Sequence, residues 1–175
     1  MQPSDYIFGI RAVMEAVNAG RDIDRVYIRK GLSGPLAQEL TELLRANRIL
    51  TRYVPAEKLD KITRKNHQGV IAILSAVPYH QLGNLVPQLF EDGVMPFIVI
   101  LDGVTDVRNF GAIARTCECA GADAIVIPDH GSVSVGGDAV KTSAGALLHL
   151  PVCMEHSVVG AVKYLKNSGF KVVAV

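Results

Sequence analysis

The sequence predicts an α/β fold built as two successive domains. Short apolar runs alternate with amphipathic helical segments along the chain, a pattern typical of small sheets covered by helices. A stretch around Pro78 lacks this periodicity and separates the two alternations. We therefore place a first domain at residues 1–75, a linker at 76–84 and a second domain at 85–175.

The first domain is predicted to alternate helices and strands. Its expected helices span 7–19, 36–47 and 56–62, and its expected strands span 25–29, 51–54 and 70–74. Gly20 is expected to end the first helix. The residues expected on the buried faces of the first two helices are Ile10, Val13, Met14, Val17, Leu36, Leu40, Leu43 and Leu44.

The second domain is predicted to continue the alternation. Its expected helices lie near 85–91, after Asp106, near 138–146 and near 157–167, and its expected strands span 96–102, 124–128 and 171–175. The last strand is a buried type of apolar run with no turn after it, which predicts a domain that is incomplete at Val175.

The segment 101–128 is the most specific part of the sequence. It predicts a β-α-β unit in which Asp106 caps the helix, and the helical period places Phe110, Ile113, Ala114 and Cys117 on the core face. Arg115 lies nearly opposite that face, and Gly111 is expected to leave open space beside it. Because ligands bind at the carboxyl ends of strands in open α/β sheets, this helix predicts a ligand site.

Composition narrows the protein class. About half of the residues are apolar (49%), enough for a sizeable core, and a net charge of +1 means that any nucleic acid would have to bind local basic patches. The sequence shows no signal peptide and no apolar run long enough for a membrane span, which predicts a cytoplasmic protein.

The odd number of cysteines (Cys117, Cys119 and Cys153) predicts buried structural thiols. The histidines outside the loop at 64–69 have no metal-binding spacing, so no metal is expected.

Two segments resemble a known enzyme family. Asn109, Gly111, Arg115 and Thr116 match in order and spacing the first motif of the SpoU/TrmH family of RNA ribose 2′-O-methyltransferases, in the SPOUT superfamily. Val107 stands where the family usually has proline, which removes preorganisation but no reactive group. The segment KTSAGALLHLPV at 141–152 is similar to a second family segment.

The resemblance implies both fold and activity. It implies a ribosomal-protein-like RNA-binding domain followed by an α/β-knot (SPOUT) methyltransferase domain, incomplete because the family's two later motifs, which bind the donor, would lie beyond Val175. It also implies S-adenosylmethionine as methyl donor, a guanosine of 23S ribosomal RNA as substrate, and a homodimer formed through the knot. Transfer RNA as substrate, a catalytically incomplete RNA-binding module and a nucleotide-binding protein unrelated to RNA remain alternatives.

The resemblance assigns catalytic roles to two residues of the motif helix. Asn109 would order the site, although it could merely satisfy amides at the helix end. Arg115 would serve the ribose hydroxyl, although by position alone it could be a solvated surface arginine. Because a guanidinium does not give up its proton readily, we expect it to bind the neighbouring phosphate and stabilise the developing alkoxide.

A basic loop is the predicted RNA contact of the first domain. Arg64, Lys65, His67 and Gln68 flank Asn66 in RKNHQG, which resembles a family segment that closes the RNA-binding domain. Lys141, in the second domain, is the further RNA-binding candidate. Both could instead be ordinary solvated surface groups.

Overall fold

The computed structural model describes residues 5–175, and the chain forms two compact units, Met1–Ala76 and Val77–Val175. The elements of the first unit are β1 (Tyr6–Phe8), α1 (Ile10–Asn18), β2 (Ile23–Arg29), α2 (Pro35–Ala46), β3 (Thr51–Val54), α3 (Ala56–Ile62) and β4 (Val70–Leu74). Those of the second are β5 (Tyr79–His80), α4 (Leu82–Glu91), β6 (Ile98–Ile100), α5 (Val107–Cys119), β7 (Ala124–Pro128), α6 (Gly137–Thr142), a 3-10 turn (Ala146–Leu148), β8 (Val152–Glu155) and α7 (Val158–Asn167).

The first unit is a mixed four-stranded sheet in the order β1-β4-β2-β3. β2 and β3 are parallel, and β4 runs antiparallel to both of its neighbours. Side chains of α1 and α2, including Val13, Leu40 and Leu44, pack with Val26 of β2 in one cluster. A second cluster joins Leu59 of α3 to other residues of β3 and β4. The sheet is therefore covered by helices, as its sequence predicts.

The first predicted helix is wrong at its beginning and correct at its end. Tyr6–Phe8 forms an edge strand paired with β4, and the helix starts only at Ile10. A short apolar run fits both helical and strand periods, so pairing with β4 decides the outcome. Gly20, at φ 66°, donates its N–H to Val17 O at 3.0 Å and ends the helix as predicted. In α2, Leu36 is exposed rather than buried, and Ala37 takes the inward position.

The second unit is a parallel four-stranded sheet in the order β5-β8-β7-β6. Its central strand β7 is buried on both faces. Ile125 and Ile127 pack with residues of α5 and α6 on one side, whereas Ala124 and Val126 pack with residues of α4 and α7 on the other. The sheet is thus the middle layer of three, as an apolar run of this kind indicates.

Several predictions for the second unit differ from the structure, which also contains a strand, β8, that was not predicted. The expected linker 76–84 contains β5 and the start of α4, because a two-residue strand leaves no periodicity in the sequence. The third helix ends at Thr142 rather than near residue 146, since Ala144 has φ 53°. Residues 171–175 form no strand; Phe170 and Val172 pack against the α4–α7 side instead. Between residues 5 and 175, no helix is long and apolar enough to cross a membrane.

Candidate functional site

The beginning of α5 is fixed by its N-cap. The carboxylate of Asp106 accepts hydrogen bonds from the backbone N–H groups of Arg108 and Asn109, each at 2.9 Å. These groups would otherwise lack a partner in the first helical turn. The predicted cap is confirmed, and it holds the backbone of Asn109 in place while the Asn109 side chain stays exposed.

The two faces of α5 differ as the sequence predicts. Phe110, Ala114 and Cys117 are buried against the sheet, and Ile113 is partly buried in the same cluster. Arg115 is exposed on the other side, and no hydrogen bond or ion pair holds its side chain within the described residues. Its guanidinium is therefore available to an outside anion.

Gly111 does not open a ligand space, which corrects the sequence expectation. A Cβ atom at this position would lie 2.3 Å from Oγ1 and 2.7 Å from the carbonyl carbon of Thr142. The hydroxyl of Thr142 also lies 3.2 Å from the carbonyl oxygen of Val107, at the start of α5. The glycine is thus needed so that α6 can pack directly on α5.

This packing places side by side the two helices that carry three of the predicted site residues. Asn109 and Arg115 are exposed on α5, and Lys141 is exposed beside Thr142 in the last turn of α6. A polar amide and two cations therefore stand on one pair of contacting helices. These are groups that bind hydroxyl and phosphate oxygens.

Sequence reasoning missed a further cation on α5. Arg108 is exposed and precedes Arg115 by seven residues. At about 100° per residue, this spacing puts both arginines on one stripe, about 10.5 Å apart along the helix axis. The spacing was readable from the sequence and would have identified Arg108 as a second candidate for phosphate contact.

The basic loop of the first unit divides into structural and exposed residues. His67 accepts a hydrogen bond from Gly69 N–H through Nδ1 at 3.0 Å, and its Nε2 lies 3.0 Å from Oδ1 of Asp60. The Oε1 atom of Gln68 accepts from the N–H of Ile10 at 3.2 Å, at the start of α1. His67 thus has both ring nitrogens engaged in the fold of the unit, whereas Gln68 is exposed and has only its Oε1 atom engaged.

Three further residues of the loop are solvent-exposed. Arg64, Lys65 and Asn66 are exposed, and Lys65 Nζ stands 5.8 Å from the ring centroid of Phe8. Asn66 also lines a neighbouring cleft of about 240 Å³ together with Arg11. The loop therefore offers two cations and the side-chain amides of Asn66 and Gln68 to a ligand.

The cysteines differ in their environments. Cys117 and Cys153 are buried free thiols, as predicted, but Cys119 is exposed. Burial raises the pKa of Cys117, and burial followed by the nearby charge of Glu155 raises the pKa of Cys153 to about 12. Cys119 lies two positions beyond Cys117, so the helical period turns it away from the core.

Family comparisons divide the chain in two. Residues 6–80 match the family described as RNA 2′-O ribose methyltransferase substrate binding, and residues 96–175 match the SpoU rRNA methylase family. The second match contains α5 and α6. The first contains the basic loop.

Two bacterial proteins with sequences similar to this chain are named as TrmH family methyltransferases. The chain is 34% identical over 172 residues to YacO of Bacillus subtilis, named as a TrmH family tRNA/rRNA methyltransferase, covering 98% of this chain and 69% of that protein. A Staphylococcus saprophyticus protein with the same family name is 31% identical, covering 95% of this chain and 67% of that protein.

Solved structures with similarity include two methyltransferases in complex with AdoMet. AviRb from Streptomyces viridochromogenes has a TM-score of 0.44 at 21% identity, covering 94% of this chain and 58% of that one. An rRNA methyltransferase from Sinorhizobium meliloti has a TM-score of 0.43 at 23% identity, covering 93% and 57%. The chain thus spans less than two thirds of either structure. The extent and identity of the YacO match show that the chain belongs to the SpoU/TrmH family of RNA methyltransferases.

Proposed function

We propose that the protein containing this chain is an S-adenosylmethionine-dependent RNA ribose 2′-O-methyltransferase. The observation that carries the proposal is the surface of α5, where Asp106 fixes the helix start and leaves Asn109 and Arg115 exposed. The family descriptions, which name RNA 2′-O ribose methyltransferase and rRNA methylase, support the same activity.

Arg115 would act on the acceptor side of the reaction. Methyl transfer to a ribose 2′-hydroxyl requires that the oxygen give up its proton, ultimately to water, as it attacks, so negative charge develops there. A guanidinium keeps its own proton at neutral pH and is therefore an electrostatic group rather than a base. Its planar donors suit simultaneous contact with the attacking oxygen and a neighbouring phosphate.

Asn109 would position the acceptor. Its backbone is held by Asp106, and its exposed amide can both donate a hydrogen bond to a ribose hydroxyl and accept one from it. Because the cap fixes the helix start, the amide approaches the ribose at little further cost in backbone entropy.

The methyl donor supplies an electrophilic methyl group when it is bound. The chemistry of the α5 and α6 side chains fits the other half of the reaction, since an amide and cations bind hydroxyl and phosphate oxygens rather than a positively charged sulfonium. We therefore assign Asn109, Arg115 and Lys141 to RNA and assign no donor contact to them.

The first unit would supply RNA contacts of its own. Arg64 and Lys65 are the exposed cations of its loop, and their charge suits phosphate contacts that carry affinity without sequence information. His67 and Gln68 would contribute by keeping the loop in shape.

We further propose a guanosine of 23S ribosomal RNA as substrate, a homodimer as the working assembly, and the cytoplasm as location. Transfer RNA is the second candidate substrate, because the relatives' names include both RNA classes. The two substrates differ in size and structure but present the same ribose and phosphate groups to α5.

The experiment is a methyl-transfer assay of the whole protein with labelled S-adenosylmethionine. Unmodified 23S ribosomal RNA and transfer RNA are offered separately, and digested nucleosides are analysed by mass spectrometry. A 2′-O-methylguanosine in 23S RNA supports the proposal, and label confined to transfer RNA supports the second substrate. RNA binding without methyl transfer to either RNA would instead favour an RNA-binding module and contradict the proposed activity.

A further inference from the structure

Three potential metal ligands lie together beyond the ends of two neighbouring strands. Asp129 directly follows β7, and His156 directly follows β8. The strands are parallel, with Pro128 opposite Glu155, so both loops begin at the same edge of the sheet. The Asp129 N–H donates to Glu155 O at 2.9 Å and joins the two loop starts.

The Asp129 carboxylate lies between two imidazoles. Its Oδ1 atom contacts Nδ1 of His130, and its Oδ2 atom lies 3.0 Å from Nδ1 of His156. The ring centroids are 5.8 Å apart with the planes at 82°, so the rings do not stack face to face. One potential ligand atom from each residue lies within 4.8 Å of the other two.

The turn after β7 is itself held in place. The hydroxyl of Ser132 donates a hydrogen bond to the carbonyl oxygen of Pro128 and so closes a turn that contains Asp129 and His130. The backbone of this turn is therefore tied both to its own strand and, through Asp129 N–H, to the end of β8. Such ties reduce the conformational entropy lost when an ion gathers the side chains.

The composition of the cluster selects a class of ion. Two imidazole nitrogens and one carboxylate oxygen suit Zn²⁺ and neighbouring first-row divalent ions, whereas Mg²⁺ and Ca²⁺ prefer oxygen ligands. Ligands about 2.0 Å from a tetrahedral ion lie about 3.3 Å from one another. The His156–Asp129 distance of 3.0 Å is already close to that spacing.

We propose that Asp129, His130 and His156 bind one divalent transition-metal ion, with Zn²⁺ as the preferred occupant. Three protein ligands leave a fourth position for water or an outside oxygen ligand. The His130 and His156 side chains are 63% and 87% exposed, so an ion can enter directly from solvent. The sequence predicts no metal because ligand-spacing patterns are read within one segment. These ligands instead follow the ends of two different strands.

The test is metal binding to the tag-free, metal-stripped whole protein. Titration with Zn²⁺ in a calorimeter should give one site per chain, and Co²⁺ should give the visible absorption of a low-coordinate site rather than that of the hydrated ion. Asp129→Asn, His130→Ala and His156→Ala should each weaken this binding by at least about tenfold, the order of loss seen for lesser changes around metal sites.

The matched control is His149→Ala, because His149 is an exposed histidine of the same unit outside the cluster. It should leave Zn²⁺ affinity unchanged, and thermal unfolding of each metal-free variant should match that of the parent protein. A parent protein that binds Zn²⁺ no more tightly than His156→Ala or Asp129→Asn would overturn the proposal. A site lost in His149→Ala would also overturn it.

Discussion

Gly111 of α5 and Thr142 of α6 meet so closely that only glycine fits between the two helices. A Cβ atom on Gly111 would lie 2.3 Å from the Thr142 hydroxyl oxygen and 2.7 Å from the Thr142 carbonyl carbon. The second neighbour is backbone and cannot rotate away. The glycine of the family motif is thus explained by helix packing, and through that packing it sets where Lys141 lies relative to Arg115.

Gly111→Ala should destabilise the second unit because α6 must move away from α5. Overpacking of this kind costs about 1–3 kcal/mol, which outweighs the gain of up to about 1 kcal/mol in helix propensity. The check is the free energy of unfolding of the second unit, measured from its urea-induced unfolding transition.

Gly83→Ala is the matched control for this substitution. Gly83 is also helical, and a Cβ atom there would meet nothing within 4 Å. The control should be neutral or slightly stabilising. Adding Thr142→Ala to Gly111→Ala should recover only part of the loss, because the backbone clash remains. Equal stability of Gly111→Ala and Gly83→Ala would contradict this account of the glycine.

Asp106→Ala should shorten or fray the beginning of α5. The substitution leaves the N–H groups of Arg108 and Asn109 without their carboxylate partner, and loss of such a cap costs about 0.5–2 kcal/mol. Asp106→Asn retains an acceptor oxygen and should keep most of the stability. Hydrogen exchange of the Asn109 amide should be faster in the alanine variant; an unchanged rate would show that the cap does not hold this turn.

The basic loop should separate affinity from stability. Replacing both Arg64 and Lys65 with alanine should weaken RNA binding. The slope of log K against log salt concentration should become shallower by the equivalent of up to about two phosphate contacts, with little effect on the stability of the protein. Gln68→Ala should instead lower the stability of the first unit, because the backbone N–H of Ile10 loses its side-chain acceptor. The measurements are RNA titrations at several salt concentrations and thermal melts.

The two classes of variant serve as controls for each other. A double substitution at Arg64 and Lys65 that leaves the salt slope of RNA binding unchanged would remove the loop from the RNA surface. Loss of stability in that double variant equal to the loss in Gln68→Ala would show that its cations are structural instead.

The buried thiols should make the protein less stable at alkaline pH. The pKa of Cys153 is raised from 9.0 to about 12 in the folded protein, so the unfolded chain loses this proton first. Stability is therefore intact below pH 9 and falls between pH 9 and about 12, by up to about 1.4 kcal/mol per pH unit for this group.

Cys153→Ala removes that titration and should flatten the alkaline fall in unfolding free energy. In the folded protein at pH 8, iodoacetamide should modify Cys119 first, because Cys117 and Cys153 are buried. Alkylation of all three thiols at equal rates without denaturant would contradict the described burial.

The sequence predicts α5 well because independent local signals agree there. The Asp106 cap, the apolar face around Phe110 and Ala114, and the exposed Arg115 all follow from residue type and helical period. β7 is equally predictable, since a run of five apolar residues in this setting is buried on both faces.

Several of the unpredicted features depend on contacts distant in sequence. The role of Gly111 requires Thr142, that of Gln68 requires Ile10, and the cluster at Asp129 requires His156. Periodicity and capping rules concern neighbours within a few residues, so they do not report such pairs. The two-residue strand Tyr79–His80 was missed for the same reason, because it exists only through its pairing with β8.

The most direct test of the account is the methyl-transfer rate of Arg115→Ala in the whole protein. If the guanidinium stabilises charge on the attacking oxygen, kcat should fall by about 10²–10³, and Arg115→Lys should recover only part of it. Lys163→Ala, an exposed cation on α7, is the control and should retain full activity. A kcat for Arg115→Ala within about twofold of the parent value, with correctly folded protein, would contradict the central role assigned to this residue.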